Sequence, residues 1–239
     1  DAADGAYVGY PLDALLGVLA QESERARCLV VGEDLGTVPE GLRERLAAAD
    51  VLSYRVAWFE RDGAAFVPPA RYPVKAAACV STHDLPTIAG WWRGADIDEK
   101  QALALLTAGA ADAERSERQA SKAALVDALV RAGATPDAPV DASGPHDAAV
   151  TAAIHRFVGA SAAALVLIQA DDLAGEEMAV NLPGVDRDPQ RPTAIRLRQS
   201  PRLDVPTPRA SFSRLAVTQF LNVSDSTAYA AQTAMISSR

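Results

Sequence analysis

The sequence predicts an α/β protein with four parallel strands and covering helices, half of an eight-stranded barrel and incomplete in this chain. Three observations support that class. Short apolar runs at 28–31, 53–59, 76–81 and 163–168 read as strands. Helical patterns separate them, so every link between strands is long enough to cross over in parallel. Acids stand at the exits of three runs: Glu33 with Asp34, Asp84, and Asp171 with Asp172. The C-terminal ends of strands are where a parallel barrel keeps its chemistry. A doubly wound open sheet is the rival, but no Gly-x-Gly-x-x-Gly follows any run, and Gly32 with Gly36 alone is a weak signal.

Element by element, residues 12–26 place Leu12, Leu15, Leu16 and Leu19 on one stripe, with charge gathering at Glu22, Glu24 and Arg25, and Pro11 opens this one-sided helix. Cys28 to Val31 is too short and uniformly apolar for a surface helix and reads as a buried strand. Thr37-Val38-Pro39-Glu40 restarts a helix that runs through Leu42 and Leu46 to about Ala49. Ser53 to Phe59 mixes aromatic and β-branched residues, as a strand does. Pro68, Pro69 and Pro73 make a loop before the strand Ala76 to Ser81, and Leu85 to Trp92 forms a short helix.

Asp98 to Gly109 reads as helical, and Arg115 to Arg131 follows with Leu125, Leu129 and Val130 on one face and Gly133 as its stop. A turn-rich connector, 134–145, leads to a helix over 147–158 with Val150, Ile154, Phe157 and Val158 inward. Ala163 to Ile168 is the clearest strand in the chain. Residues 186–239 differ: Pro189, Pro192, Pro201, Pro206 and Pro208 preclude long helices, and the Ser, Thr and Ala-rich end has no clean period, so no structure is assigned there.

Composition narrows the function. The 239 residues are 49% hydrophobic and 23% charged, ordinary for a folded globular protein. A net charge of -8 and a pI near 4.9 argue against a nucleic-acid groove or an anionic membrane surface, and fit an uncharged ligand. No apolar run reaches the roughly 18 residues of a membrane span. Cys28 and Cys79 both sit in apolar runs and read as buried free thiols, which points to a reducing, cytoplasmic compartment. Residue 1 is Asp, and Asp1-Ala2-Ala3-Asp4-Gly5 reads like a loop interior, so the sequence looks as if it starts mid-protein and carries no information about export.

Glu33 and Asp34 are adjacent, so on an extended strand they face opposite ways: one acid works and the other supports it. Taken singly, both could be solvated acids ahead of a helix, Asp84 a helix cap and His83 a packed histidine. Together they suit glycoside cleavage, which needs an acid on the departing oxygen, a carboxylate at the anomeric carbon and groups that stabilise an oxocarbenium-like transition state. His83, His146 and His155 share no metal-ligand spacing and neither Cys lies near a second, so no metal or other cofactor is expected. No Gly-x-Ser-x-Gly supports a serine hydrolase.

The strings GEDLGTVPEGLRERL, SYRVAWFE, RYPVKAAACVSTHDLPTIAGWW and ALVLIQADDL with VNLPG closely resemble the C-terminal half of the amylomaltase, or 4-α-glucanotransferase, family of glycoside hydrolases. The likeness covers about residues 4 to 185 and implies the second half of a TIM-type (β/α)8 barrel acting on maltodextrins or other α-1,4-glucans. Carried over by position, it implies that Glu33 is the general acid/base, Asp84 the acid that holds sugar hydroxyls and stabilises the transition state, and His83 a sugar contact. A proton donor of this kind calls for a less solvated setting or a like-charged neighbour. Tyr54, Trp58, Trp91 and Trp92 offer flat faces for glucose rings, or else pack the core and its rim.

Two departures matter. The family's nucleophile is an Asp in an Arg-x-Asp-His type motif on the preceding strand, and these 239 residues contain no such motif, so the chain by itself is expected to be inactive. After Asn181-Leu182-Pro183-Gly184 the family continues with a Trp-containing basic stretch, whereas this chain gives RDPQRPTAIRLRQSPRL and a polar tail; a reading-frame slip near residue 188 would account for it. Two other classes stay open: a non-catalytic carbohydrate-binding pseudoenzyme fragment, and a barrel lyase using Glu33 and Asp84 around a divalent ion.

Overall fold

The computed structural model describes residues 8–135, 139–179, 181–182, 215–221 and 230–235, the last two stretches as backbone. The chain divides into two compact units, Asp1–Tyr54 and Arg55–Arg239.

In the first unit, helix α1 (Leu12–Ala26) forms as the leucine stripe predicts and ends at Arg27 in the left-handed conformation. None of its residues is buried. The strand expected at 28–31 shrinks to β1 (Val31–Gly32), and Cys28, Leu29 and Val31 are exposed rather than buried. Within this unit β1 has a single neighbour, the start of β2 (Leu52–Val56), to which it pairs in parallel at Val31↔Leu52 and Gly32↔Ser53. A ladder runs along a strand's edge and covers neither face; burial needs a packed layer above and below. Helix α2 (Leu42–Ala48) starts later than the Thr37-Val38-Pro39 signal implies, because Gly41 sits at φ 78° and marks the entry.

The second unit opens with the last residues of β2, then a small antiparallel hairpin, β3 (Arg61–Asp62) and β4 (Ala65–Phe66), turning through Gly63 at φ 60°. The proline loop contains a 3₁₀ turn, Pro69–Arg71. Strand β5 (Ala76–Cys79) is buried throughout, Cys79 included as expected, and runs parallel to β6 (Leu165–Gln169) in the register Ala77↔Leu165, Cys79↔Leu167. Between these strands lie α3 (Ile88–Arg93), α4 (Ala95–Ala102), α5 (Ala108–Arg131) and α6 (Ala148–Gly159).

Thr87, Thr107 and Asp147 cap α3, α5 and α6, each accepting from the N–H three residues on. The core gathers Ile88, Ile97, Leu125, Leu129, Ile154, Phe157 and Val158, all essentially inaccessible. Val130, expected beside Leu125 and Leu129, is exposed, since it follows Leu129 by one helical position and turns off that face. After β6 comes α7 (Ala170–Ala174). Strands β7 (Leu215–Leu221) and β8 (Ala230–Met235) extend the sheet in the order β5, β6, β7, β8, parallel up to β7 and antiparallel at β8. They fall in the tail to which the sequence reading assigned no structure; the rest of that tail lies outside the described residues.

Candidate functional site

At the exit of β1 the two adjacent acids part company. Asp34 is 4% exposed and Glu33 is exposed. One Asp34 oxygen, Oδ2, accepts from Ser53 Oγ at 2.7 Å and from Arg43 Nε at 2.9 Å, while Oδ1 accepts from the Tyr54 backbone N–H at 2.8 Å. Arg43 also donates to the Asp34 carbonyl at 2.8 Å. Burial raises the Asp34 pKa, but the bonds from Ser53, Tyr54 and Arg43 outweigh it and hold the carboxyl below its ordinary 3.8. Asp34 therefore stays ionised and its lone pairs are spent inside the loop. Glu33, by contrast, stands exposed with that charge as its chain neighbour.

The second unit carries His83 and Asp84 on the loop between β5 and α3. His83 Nε2 lies 3.4 Å from Asp84 Oδ1, and both side chains are a little over a third exposed. The loop is braced from within: Ser81 Oγ donates to the Pro86 carbonyl at 2.7 Å, and the Leu85 N–H to the Thr82 carbonyl at 3.1 Å. It is also braced from the segment after β6. The Ile88 N–H donates to Asp172 Oδ1 at 2.7 Å, Thr87 Oγ1 to the Glu176 carbonyl at 2.6 Å, and Arg93 pairs with Glu177. A Cβ on Gly90 would overlap the Glu177 carbonyl oxygen and stand 3.1 Å from its carbonyl carbon, so only glycine admits this approach.

The same segment ends on the acid itself: the Asn181 N–H donates to the His83 carbonyl at 2.9 Å, and Asn181 Nδ2 to Asp84 Oδ1 at 2.6 Å. Asp172 is 2% exposed, and its Oδ2 lies 3.8 Å from His155 Nε2. Burial, with the charges of Asp172 and Glu176, raises the neighbouring Asp171 carboxyl above its ordinary range. Asp172, at the exit of β6, thus holds the start of α3 from α7.

The aromatic residues divide. Trp58 is 9% exposed and stacks on Trp91 at 4.5 Å and 14°, so that face is occupied by packing. Arg118 lies over the Trp91 ring at 4.9 Å, donates to the Trp91 carbonyl at 2.6 Å, and forms two bonds of 2.9 and 2.7 Å to the buried Asp96. Trp92 is buried beneath Lys122 and donates to the Gly144 carbonyl at 3.0 Å. Tyr54 is half-buried. Among the described residues no three His, Cys, Asp or Glu gather as a metal site would require. The sequence reading missed Asn181, Thr87 and Gly90; the string VNLPG and the cap position of Thr87 were visible, but nothing local ties either to His83 or Asp84.

A sequence profile described as 4-alpha-glucanotransferase matches residues 1–196. A 4-alpha-glucanotransferase of Haemophilus influenzae is 34% identical over 190 residues, 78% of this chain and 27% of that protein. One of Mycobacterium tuberculosis is 35% identical over 185 residues, 75% of this chain and 25% of that protein. The crystal structure of amylomaltase from Corynebacterium glutamicum superposes with a TM-score of 0.70 at 31% identity, over 76% of this chain and 27% of that one. A solved structure of amylomaltase from Streptococcus agalactiae in complex with acarbose, at 19% identity and a TM-score of 0.50, supports the fold alone. The chain spans about a quarter of the length of the relatives it matches.

Proposed function

The chain belongs to the 4-alpha-glucanotransferase family, and from that premise we propose that it supplies the acid/base and transition-state-stabilising part of an enzyme that transfers α-1,4-glucan segments between maltodextrins. Its parallel strands then come from the C-terminal half of a (β/α)8 barrel, with Glu33 at the exit of β1 and His83 and Asp84 at the exit of β5, the ends at which such a barrel keeps its chemistry. The observation that carries the assignment is the split at β1: Asp34 is consumed by Ser53, Tyr54 and Arg43, which leaves Glu33 as the acid free to turn to a substrate.

In the retaining mechanism Glu33 gives its proton to the glycosidic oxygen as the bond to the anomeric carbon breaks, and a carboxylate from outside these 239 residues forms the glycosyl ester. Glu33, now a base, takes the proton from the 4-hydroxyl of an acceptor glucan, whose oxygen displaces the ester. Asp84 and His83 hold hydroxyls of the reacting sugar, and Asp84 offsets the positive charge that develops on it. Tyr54, half-buried, and Trp58, one face of which Trp91 covers, are the aromatic residues this reading names as further sugar contacts. No step draws on a cofactor.

The full-length protein that carries these residues should convert maltotriose to glucose and longer maltodextrins, and Glu33→Gln should lower kcat about 10²–10⁴-fold. Full activity in that variant would refute the assignment. The 239-residue chain on its own should release no glucose from maltotriose, because the attacking carboxylate is not part of it.

A further inference from the structure

We propose that Asn181 is a positioning residue for Asp84, beyond a strap, Asp172 to Glu177, that is anchored along the start of α3. The inference rests on the glucan-transfer reading for its consequence, though its geometry stands apart from it. Asn181 makes two contacts to consecutive residues of the β5 exit loop, its backbone N–H to the His83 carbonyl at 2.9 Å and its side-chain amide to Asp84 Oδ1 at 2.6 Å. The first contact fixes where the Asn181 backbone lies. The second fixes the carboxylate.

The strap leading to it is anchored at three earlier points on the same structural element. Asp172 caps the start of α3 through the Ile88 N–H, the Glu176 carbonyl accepts from Thr87 Oγ1, and the Glu177 carbonyl lies in the space a side chain on Gly90 would fill. These three contacts hold Asp172 to Glu177 against the start of α3, and the bond from the Asn181 N–H to the His83 carbonyl holds Asn181 on the loop itself. A donor held by its own backbone can orient its acceptor rather than follow it.

Asp84 needs such orientation because its own setting does not supply it. The carboxylate is a little over a third exposed and stands on a loop, so its side-chain torsions are otherwise open. Asn181 Nδ2 and His83 Nε2 both face the same oxygen, Oδ1, at 2.6 and 3.4 Å. No donor among the described residues reaches Oδ2. One oxygen is held by the protein and the other is presented for a sugar hydroxyl, a division that also turns the carboxylate plane.

The test uses the full-length protein carrying this chain. Asn181→Ala should lower kcat for maltotriose disproportionation by about 10–100-fold, with KM changed less than about threefold, since the contact matters most when charge develops on the sugar. Its melting temperature should stay within about 2 °C of wild type, because the side chain is exposed and the backbone contact to His83 survives. In an Asp84→Ala background the same substitution should cost less than about twofold, as a residue that acts through Asp84 must. An equal loss in both backgrounds, or an unchanged kcat in the single variant, overturns the proposal. A readout independent of turnover is the NMR signal of the Asn181 side-chain amide, identified by its absence in Asn181→Ala: it should move when Asp84 is replaced by Ala, and a stationary signal overturns the proposal even in an inactive preparation. Lack of turnover in the wild-type protein with a moving amide signal would instead refute the glucan-transfer reading and leave the Asn181 contact standing.

Discussion

Gly90→Ala sets two effects of opposite sign against each other, so the direction of the change decides whether the strap is real. Gly90 is the third residue of α3 and has an ordinary helical backbone, not the left-handed one that would reserve it for glycine. On propensity alone, alanine should stabilise the helix by about 1 kcal/mol. Against that, the new Cβ overlaps the Glu177 carbonyl oxygen, a backbone atom that no rotamer change can move aside. The segment must retreat by roughly 1 Å to reach ordinary contact, an overpacking cost of about 1–3 kcal/mol. The 2.6 Å bond from Thr87 Oγ1 to the Glu176 carbonyl would stretch beyond useful length, a loss of about 1 kcal/mol. The balance is destabilisation by about 2 kcal/mol, a fall of roughly 4–8 °C in melting temperature for a unit of this size. Urea unfolding followed by tryptophan fluorescence reads it, with Gly109→Ala as the control. Gly109, near the start of α5, has open space where its Cβ would go and should gain stability or be neutral. If Gly90→Ala matches that control, the close approach of residues 176–177 to α3 is refuted, and with it the anchoring of Asn181.

The buried carboxylate at the β1 exit should show itself in acid. Its folded pKa is lowered, so the stability it contributes is present above the unfolded value of 3.8 and is lost as pH falls through the folded one; Asp34→Asn should be less stable than wild type by about 2 kcal/mol near neutrality. That gap should close on acidification below about pH 4, and a constant gap in urea midpoints from neutral to acid pH would contradict the hydrogen-bonding account. Arg118→Lys keeps the charge beside Asp96 but gives up the planar fork, the bond to the Trp91 carbonyl and the stacking on its ring. It should cost about 2–3 kcal/mol in urea unfolding, and a loss under 0.5 kcal/mol would show that a point charge suffices there.

What could be read from the sequence was what neighbouring residues decide among themselves. Strands β5 and β6 are continuous apolar runs, and α6 has a clean stripe behind an Asp cap, so all three stand within about two residues of where the pattern puts them. Helix α5 begins at Ala108, ahead of the Arg115 expected, because its first turns are alanine and charge without a stripe; the usable signal was the cap Thr107. The hairpin at Asp62-Gly63 carried a turn signal too, but its strands are only two residues each, below the length at which alternation can be seen. The apolar run after Arg27 predicts a buried strand, yet burial depends on what covers it, and no residue records its own cover.

The candidate site follows the same division with a sharper consequence. That Glu33 and Asp34 take different roles follows from adjacency alone, since the two side chains of consecutive extended residues cannot share a face. Which of them is spent on the scaffold does not follow, because Ser53 and Tyr54 lie 19 and 20 residues away and only the parallel pairing of β1 with β2 brings them to Asp34. Asp84 shows the extreme case: its partner Asn181 is 97 residues distant, and the strap between is organised by contacts to Thr87, Ile88 and Gly90 that leave no periodic trace. Motifs such as GEDLG and THDLP are visible because their residues stand side by side at one strand exit. The groups that hydrogen-bond to them come from other strands and their exits, so in a parallel fold they are found by register and not by motif.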